Sequence, residues 1–155
     1  MKLPTGFEIA SFLADPAHHV FFLGSRQGAL ACYELGSARL VGVWRRVHDQ
    51  NGLGSITPHN SALKPLNVTE ILTTGRDWAY KILQITLPES LSFEGELSPD
   101  TVDGALTGVS IECVHRSVLN GGWLEGVFAN SPATLILVRH GSIESSSLGI
   151  QCKQV

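Results

Sequence analysis

From residue 20 onward the chain is written as short apolar runs, each closed by a turn signal. Residues 20–23 stop at Gly24-Ser25, residues 29–35 stop at Gly36-Ser37, and residues 39–48 form a longer run. The pattern returns at 78–87, 91–97, 105–115, 123–129, 133–140 and 148–155. About nine to eleven short strands at a spacing of about 8–12 residues point to an all-β sandwich or barrel, not to alternating strands and helices. Sixteen glycines fit this. Gly42, Gly95, Gly108 and Gly126 fall inside strand runs, where glycine marks a bend or bulge of the kind that curves a sheet. No internal repeat is found. The expectation is a single domain over 1–155: an antiparallel meander closing into a β-barrel, which removes exposed edges, with a sandwich as the alternative.

Two segments depart from the pattern. Thr5 as N-cap, Glu8 three residues on, and Phe7, Ile9, Phe12 and Leu13 on one face predict one short N-terminal helix, ended by Asp15-Pro16. Residues 49–65 hold Asn51-Gly52, Pro58 and Pro65 and few periodic apolar residues, and so predict a long binding loop. The alternative is a hairpin at Asn51-Gly52 with residues 53–57 returning as a strand.

Composition excludes several classes. Hydrophobic residues make up 43% and charged residues 16%, so the chain is not intrinsically disordered. A net charge of −3 argues against nucleic acid as a partner, and the absence of a long apolar run argues against a membrane helix. Cys32, Cys113 and Cys152 form neither a disulfide framework nor a zinc pattern. With an N-terminus unlike a secretory signal, they predict free thiols and a cytoplasmic protein. Charge is uneven. Between Lys81 and Arg116 there is no basic residue, while Glu89, Glu94, Glu96, Asp100, Asp103 and Glu112 are present.

The run Leu40-Val41-Gly42-Val43-Trp44-Arg45-Arg46-Val47, followed by His48-Asp49-Gln50-Asn51-Gly52, resembles the Gly-x-Trp opening strand of lipocalin-like (calycin) β-barrels. There the tryptophan closes one end of a barrel that holds a ligand. The family carries the motif on its first strand, whereas a helix and two strands are expected before it here. Leu137-Val138-Arg139-His140-Gly141 resembles the Arg-His-Gly motif of histidine phosphatases, but too few residues follow Gly141 to supply that family's remaining phosphate-holding groups.

The six histidines lack the spacing that places two on one metal, so no metal or other cofactor is expected. Strand parity supplies the remaining candidates. Trp44, Tyr80 and Trp123 are expected to wall an apolar cavity, with Arg46 and His48 as polar anchors at its mouth. Glu125 and His115 are the acid/base candidates. The expected function is binding of an apolar or aromatic small molecule, with cofactor-independent isomerisation or cyclisation as the chemistry such residues would serve. The alternative is a non-catalytic interaction module docking a basic partner through the acidic 89–112 stretch. A homo-oligomer pairing edge strands such as 148–155 is a third expectation.

Overall fold

The computed structural model describes residues 1–48, 52–59, 64–75, 77–118, 124–131, 134–139 and 142–147. These form twelve strands: β1 (Ile9–Asp15), β2 (Val20–Ser25), β3 (Leu30–Glu34), β4 (Leu40–Trp44), β5 (Leu53–Pro58), β6 (Val68–Gly75), β7 (Ala79–Thr86), β8 (Asp103–Ala105), β9 (Ser110–Val118), β10 (Leu124–Ser131), β11 (Thr134–Arg139) and β12 (Ser142–Ser147). They make three antiparallel sheets, in the orders β1-β2-β3-β4-β8, β5-β6-β7-β9 and β10-β11-β12. Among the described residues no sheet closes on itself, so the predicted barrel gives way to its sandwich alternative. No helix of the described residues is long and apolar enough to cross a membrane.

The predicted N-terminal helix is β1. Seven residues cannot stabilise a helix alone, whereas as a strand they pair with β2 from Ile9↔Ser25 to Asp15↔Val20. Gly6, at φ +75°, turns the chain into the strand. One 3-10 turn, Pro16–His18, sits between β1 and β2, with His18 Nδ1 2.8 Å from Asp15 Oδ2. Within the stretch expected to be a loop, residues 53–58 form a strand, but β5 pairs with β6 in the second sheet and not with β4, so it is not the returning strand of the hairpin alternative. The strand expected over 91–97 is irregular chain, and 148–155 lies outside the described residues.

The sheets stack face to face, with the first strand of each side by side: β5 touches both β1 and β10. Register makes them equivalent. The cross-strand row Leu13–Phe22–Cys32–Gly42 in the first sheet corresponds to Thr57–Leu72–Ile82–His115 in the second and Phe128–Ile136–Ser145 in the third. In the first sheet this face meets the second, where Phe22, Leu30 and Cys32 pack with Ile56, Ile71, Leu83 and Ile85. In the second sheet it meets the third, where Leu72, Tyr80 and Ile82 pack with Val127, Leu135 and Leu137. Gly24 lets the two sheets close at the β5 end, since a Cβ there would stand 2.7 Å from Leu53 Cδ2.

The other face of the first sheet buries Phe21, Leu23, Tyr33 and Leu40 beneath Phe7 and Leu97. Residues 88–109 leave the second sheet after β7, cross to the first, pair β8 with β4 (Trp44↔Asp103), and return as β9. Two arginines seat the crossing through backbone oxygens. Arg39 donates to Phe93 O (2.8 Å), and Arg45 donates to Pro99 O (3.2 Å) and Thr101 O (3.0 Å).

Candidate functional site

The first and second sheets part toward their later strands and leave a wedge-shaped cavity of about 220 Å³. Its wall on the first-sheet side is Trp44 at the end of β4, Arg46 and Val47 just beyond it, and Asp103 of β8; the facing wall is Lys81 and Leu83 of β7 with Ile111 and Cys113 of β9. The Trp44 indole lies over Gly42, where a Cβ would stand 2.6 Å from its Cη2. Asp103 Oδ1 accepts the backbone N–H of Arg45 at 2.8 Å, and Lys81 Nζ donates to Val47 O. The cavity thus has an apolar floor and a rim carrying two cations, one carboxylate and an exposed thiol.

The structure brings Trp44 and Arg46 together here and separates the other expected residues. Tyr80 is on the opposite face of the second sheet, buried against the third, with its ring 5.6 Å from that of His115. The sheet itself stands between Trp44 and Tyr80, so they cannot wall one cavity. A closed barrel has one interior, which all the aromatic faces would share; a stack has an interior on each side of its middle sheet. The Tyr80 hydroxyl is buried with no hydrogen-bond partner among the described residues. Glu125 is the extra residue at an irregularity in the β10–β11 pairing, and Trp123 lies outside the described residues.

His48 is not at a cavity mouth. β4 ends at Trp44, so the strand parity that grouped Arg46 and His48 with Trp44 stops there. His48 is 2% exposed, with Nε2 2.8 Å from Thr73 Oγ1 and Nδ1 3.2 Å from Asp77 Oδ1. The order hydroxyl, imidazole, carboxylate matches a nucleophilic triad. Thr73 is fully buried, however, so no substrate atom reaches its oxygen. The group acts as a clasp. It pins the chain leaving the first sheet onto β6 and the β6–β7 turn, and Asp77 Oδ1 also accepts the N–H of Ala79 at 3.2 Å.

A second buried polar chain crosses the far face of the middle sheet. His59 Nδ1 meets Glu70 Oε1, and Gln84 Nε2 donates to Glu70 Oε2 at 2.8 Å. No described group of three or more His, Cys, Asp or Glu side chains is placed to hold a metal. Another cavity, about 350 Å³, lies beside the β3–β4 turn among His19, Glu34, Leu35, Gly36 and Leu91, and includes none of the expected residues.

Among the described residues, three groups titrate away from their ordinary values. Burial, and secondarily the charge of Asp15, pushes the Cys32 thiol up and out of the reactive range. Burial, and secondarily Glu96, pushes the Tyr33 phenol up to about 12. The Ser37 hydrogen bond, aided by Arg39, holds the Glu34 carboxyl below its usual value. None of the three lies in the wedge or in the His48 clasp.

Lys81, Asp103 and Cys113 were not singled out from sequence. Parity on the 78–87 run places Lys81 and Leu83 opposite Tyr80 and Ile82, so half of this wall was readable. Asp103 reaches it because the crossing folds β8 onto β4, and Cys113 because β9 pairs with β7 beside Leu83. Neither protein-family models nor curated proteins give a match to this chain.

Proposed function

We propose that the chain is a non-catalytic protein-interaction module, built from sheets that stack like blades of a β-propeller, and that its acidic crossing docks a basic partner. Propellers place four-stranded antiparallel sheets around an axis with their first strands innermost, which the adjacency of β1, β5 and β10 supports. The observation that carries the interaction reading is how the crossing is held. Arg39 and Arg45 fix it largely through carbonyl oxygens, and Glu89, Glu94, Glu96 and Glu112 stay exposed, with no ion pair to any described residue. A rigid backbone presenting unneutralised carboxylates is a surface that steers and orients a cationic partner. Catalysis finds no support in the geometry. The triad-like group at His48 is sealed, and His115 faces a different intersheet space from Trp44.

The test is fluorescence anisotropy with synthetic Lys/Arg-rich and Asp/Glu-rich peptides of equal length. Basic peptides should bind, and weaken by about tenfold or more as ionic strength rises well past about 0.1 M. The Glu89→Lys/Glu94→Lys/Glu96→Lys variant should lose that binding. Equal binding of both peptide classes, or binding indifferent to salt, overturns the reading.

A second reading concerns the wedge, which supports binding of a small planar anion through Trp44 with Arg46 and Lys81 at the rim. At about 220 Å³ it falls below the range of about 300–1,000 Å³ usual for drug-sized ligands. Its occupant is therefore a compact molecule or one inserted side chain. A crystallographic soak with small aromatic carboxylates tests this, and an empty wedge with every one of them refutes it.

A further inference from the structure

The cavity beside the β3–β4 turn joins the acidic crossing to the first sheet. Leu91 comes from the crossing, Glu34, Leu35 and Gly36 from the end of β3 and the turn after it, and His19 from the chain just before β2. Its volume, about 350 Å³, falls within the range of about 300–1,000 Å³ usual for ligand sites. Its walls are fixed. Leu35 N–H donates to His19 O at 2.8 Å, and Leu91 N–H donates to Pro88 O at 2.8 Å. His19 (φ 59°) and Leu91 (φ 52°) are both left-handed, as is Ala38 (φ 57°) in the same turn, and Trp78 is the only other described non-glycine residue of that kind. A left-handed backbone is unfavourable for a leucine and persists where its surroundings hold it, as they do in ligand clamps.

Glu34 is the acid of this cavity, with a side chain 18% exposed. A carboxylate offers about four acceptor sites. Ser37 Oγ and Arg39 Nη2 (3.0 Å) both donate to Glu34 Oε1, and the backbone of Phe93 supplies a further hydrogen bond. About one site is left. Arg39 also serves Phe93 O, so its charge is shared. Glu89 and Glu94 stand two and three residues from Leu91, their Cα atoms no more than about 8 and 11 Å from its own. Arg39 offsets one of these three acids, and the neighbourhood of the cavity stays negative.

We propose that this cavity takes one lysine side chain of the basic partner, with its ammonium at the remaining acceptor site of Glu34 and its aliphatic stem along Leu35 and Leu91. The inference rests on the acidic crossing as the docking surface and names the anchor that seats a partner there. Charge complementarity selects a cation, and the two leucines select a cation carried on an apolar stem. The occupancy of Glu34 selects lysine over arginine. A guanidinium recognises a carboxylate as a fork across both oxygens, and Glu34 has no such pair of sites to offer. An ammonium is a point donor and needs only one.

Fluorescence anisotropy with two synthetic peptides of equal length and charge, one with lysine and the other with arginine as its only basic residue, tests it. The lysine peptide should bind the wild-type chain about tenfold more tightly. Glu34→Gln and Leu91→Ala should each remove that preference and leave the arginine peptide's affinity as it was. Leu35→Ala replaces Leu91→Ala if circular dichroism shows that variant unfolded. Equal binding of the two peptides, still lost in Glu89→Lys/Glu94→Lys/Glu96→Lys, overturns the lysine pocket alone and keeps the acidic docking surface. Failure of both peptides to bind overturns the two together. A lysine preference that survives Glu34→Gln overturns the pocket, and so does free Nα-acetyl-lysine amide binding as tightly as the peptide, which would make this a site for small amines.

Discussion

Gly75 and His48 are packed so closely that no other residue fits at position 75: a Cβ there would stand 2.6 Å from His48 Cγ, and nearer still to His48 Nδ1 and Asp77 Oδ1. Neither neighbour is the free end of a flexible chain, because each is held by hydrogen bonds. Gly75→Ala should therefore destabilise by about 1–3 kcal/mol, the usual cost of overpacking. His48→Ala should cost about as much, by removing the partner of the buried Thr73 hydroxyl. Urea melts of both variants and the double variant check this. If the clasp is one unit, the double variant loses clearly less than the sum.

Thiol reactivity should separate the cysteines. Cys113 is exposed on the wedge rim, whereas Cys32 is buried and its thiol is held protonated. In a Cys152→Ser background, one thiol should react with an aromatic disulfide reagent within minutes, and the second only on unfolding. Cys113→Ser should remove the fast phase. A fast phase that survives in Cys113→Ser would place Cys32 within reach of solvent.

Acid should expose the contribution of Glu34. Its carboxyl is held below the ordinary 4.5 by Ser37 and Arg39, so the folded state favours the ionised form. The stability it adds is full above 4.5 and is lost as pH falls through the lower folded-state value. Glu34→Gln should thus lower the unfolding free energy slightly at neutral pH, by well under about 1 kcal/mol for so solvated a pair. The gap between variant and wild type should close in acid. A gap that persists well below pH 4.5 would assign the effect to packing instead.

At the alkaline end Tyr33 should be the marker. Its phenol, donating to Lys2 O at 2.9 Å, titrates at about 12 against an ordinary 10. The neutral form is the folded one. Its contribution is whole below pH 10 and drains away as pH rises through about 12. Ultraviolet titration of Tyr80→Phe reports Tyr33 alone, and a midpoint near 10 would mean that the first sheet does not shield it.

Much of the strand pattern was legible because side-chain alternation is local. Residues 29–35 and 78–87 each contain the strand that the structure forms, and residues 20–23 begin one that runs on through the expected turn to Ser25. What misled was inference beyond one strand. Thr5 and Glu8 carry a sound helix-start signal, yet pairing with β2 outweighs it over so short a run. The sheets are equivalent by register, but their sequences hide it. Leu13, Thr57 and Phe128 hold one place, as do Cys32, Ile82 and Ser145, and these share no chemistry that a repeat search could detect. At the site, Trp44 and Arg46 were legible together because they are close in sequence. Tyr80 was misplaced because parity says which residues share a face, and never which way that face points.

The crossing strand β8 also bears on how the molecule comes apart. A row of stacked repeats ordinarily behaves as beads, each able to fray alone, with stability a sum of units and junctions. Here the middle sheet lends three residues to the edge of its neighbour and reclaims the chain as β9. Peeling the first sheet away would strip β8 from β4, and melting β9 would slacken the segment that delivers β8. Hydrogen exchange should accordingly find β4, β7 and β9 opening together, one stitched unit spanning two sheets, while β11 exchanges on its own clock.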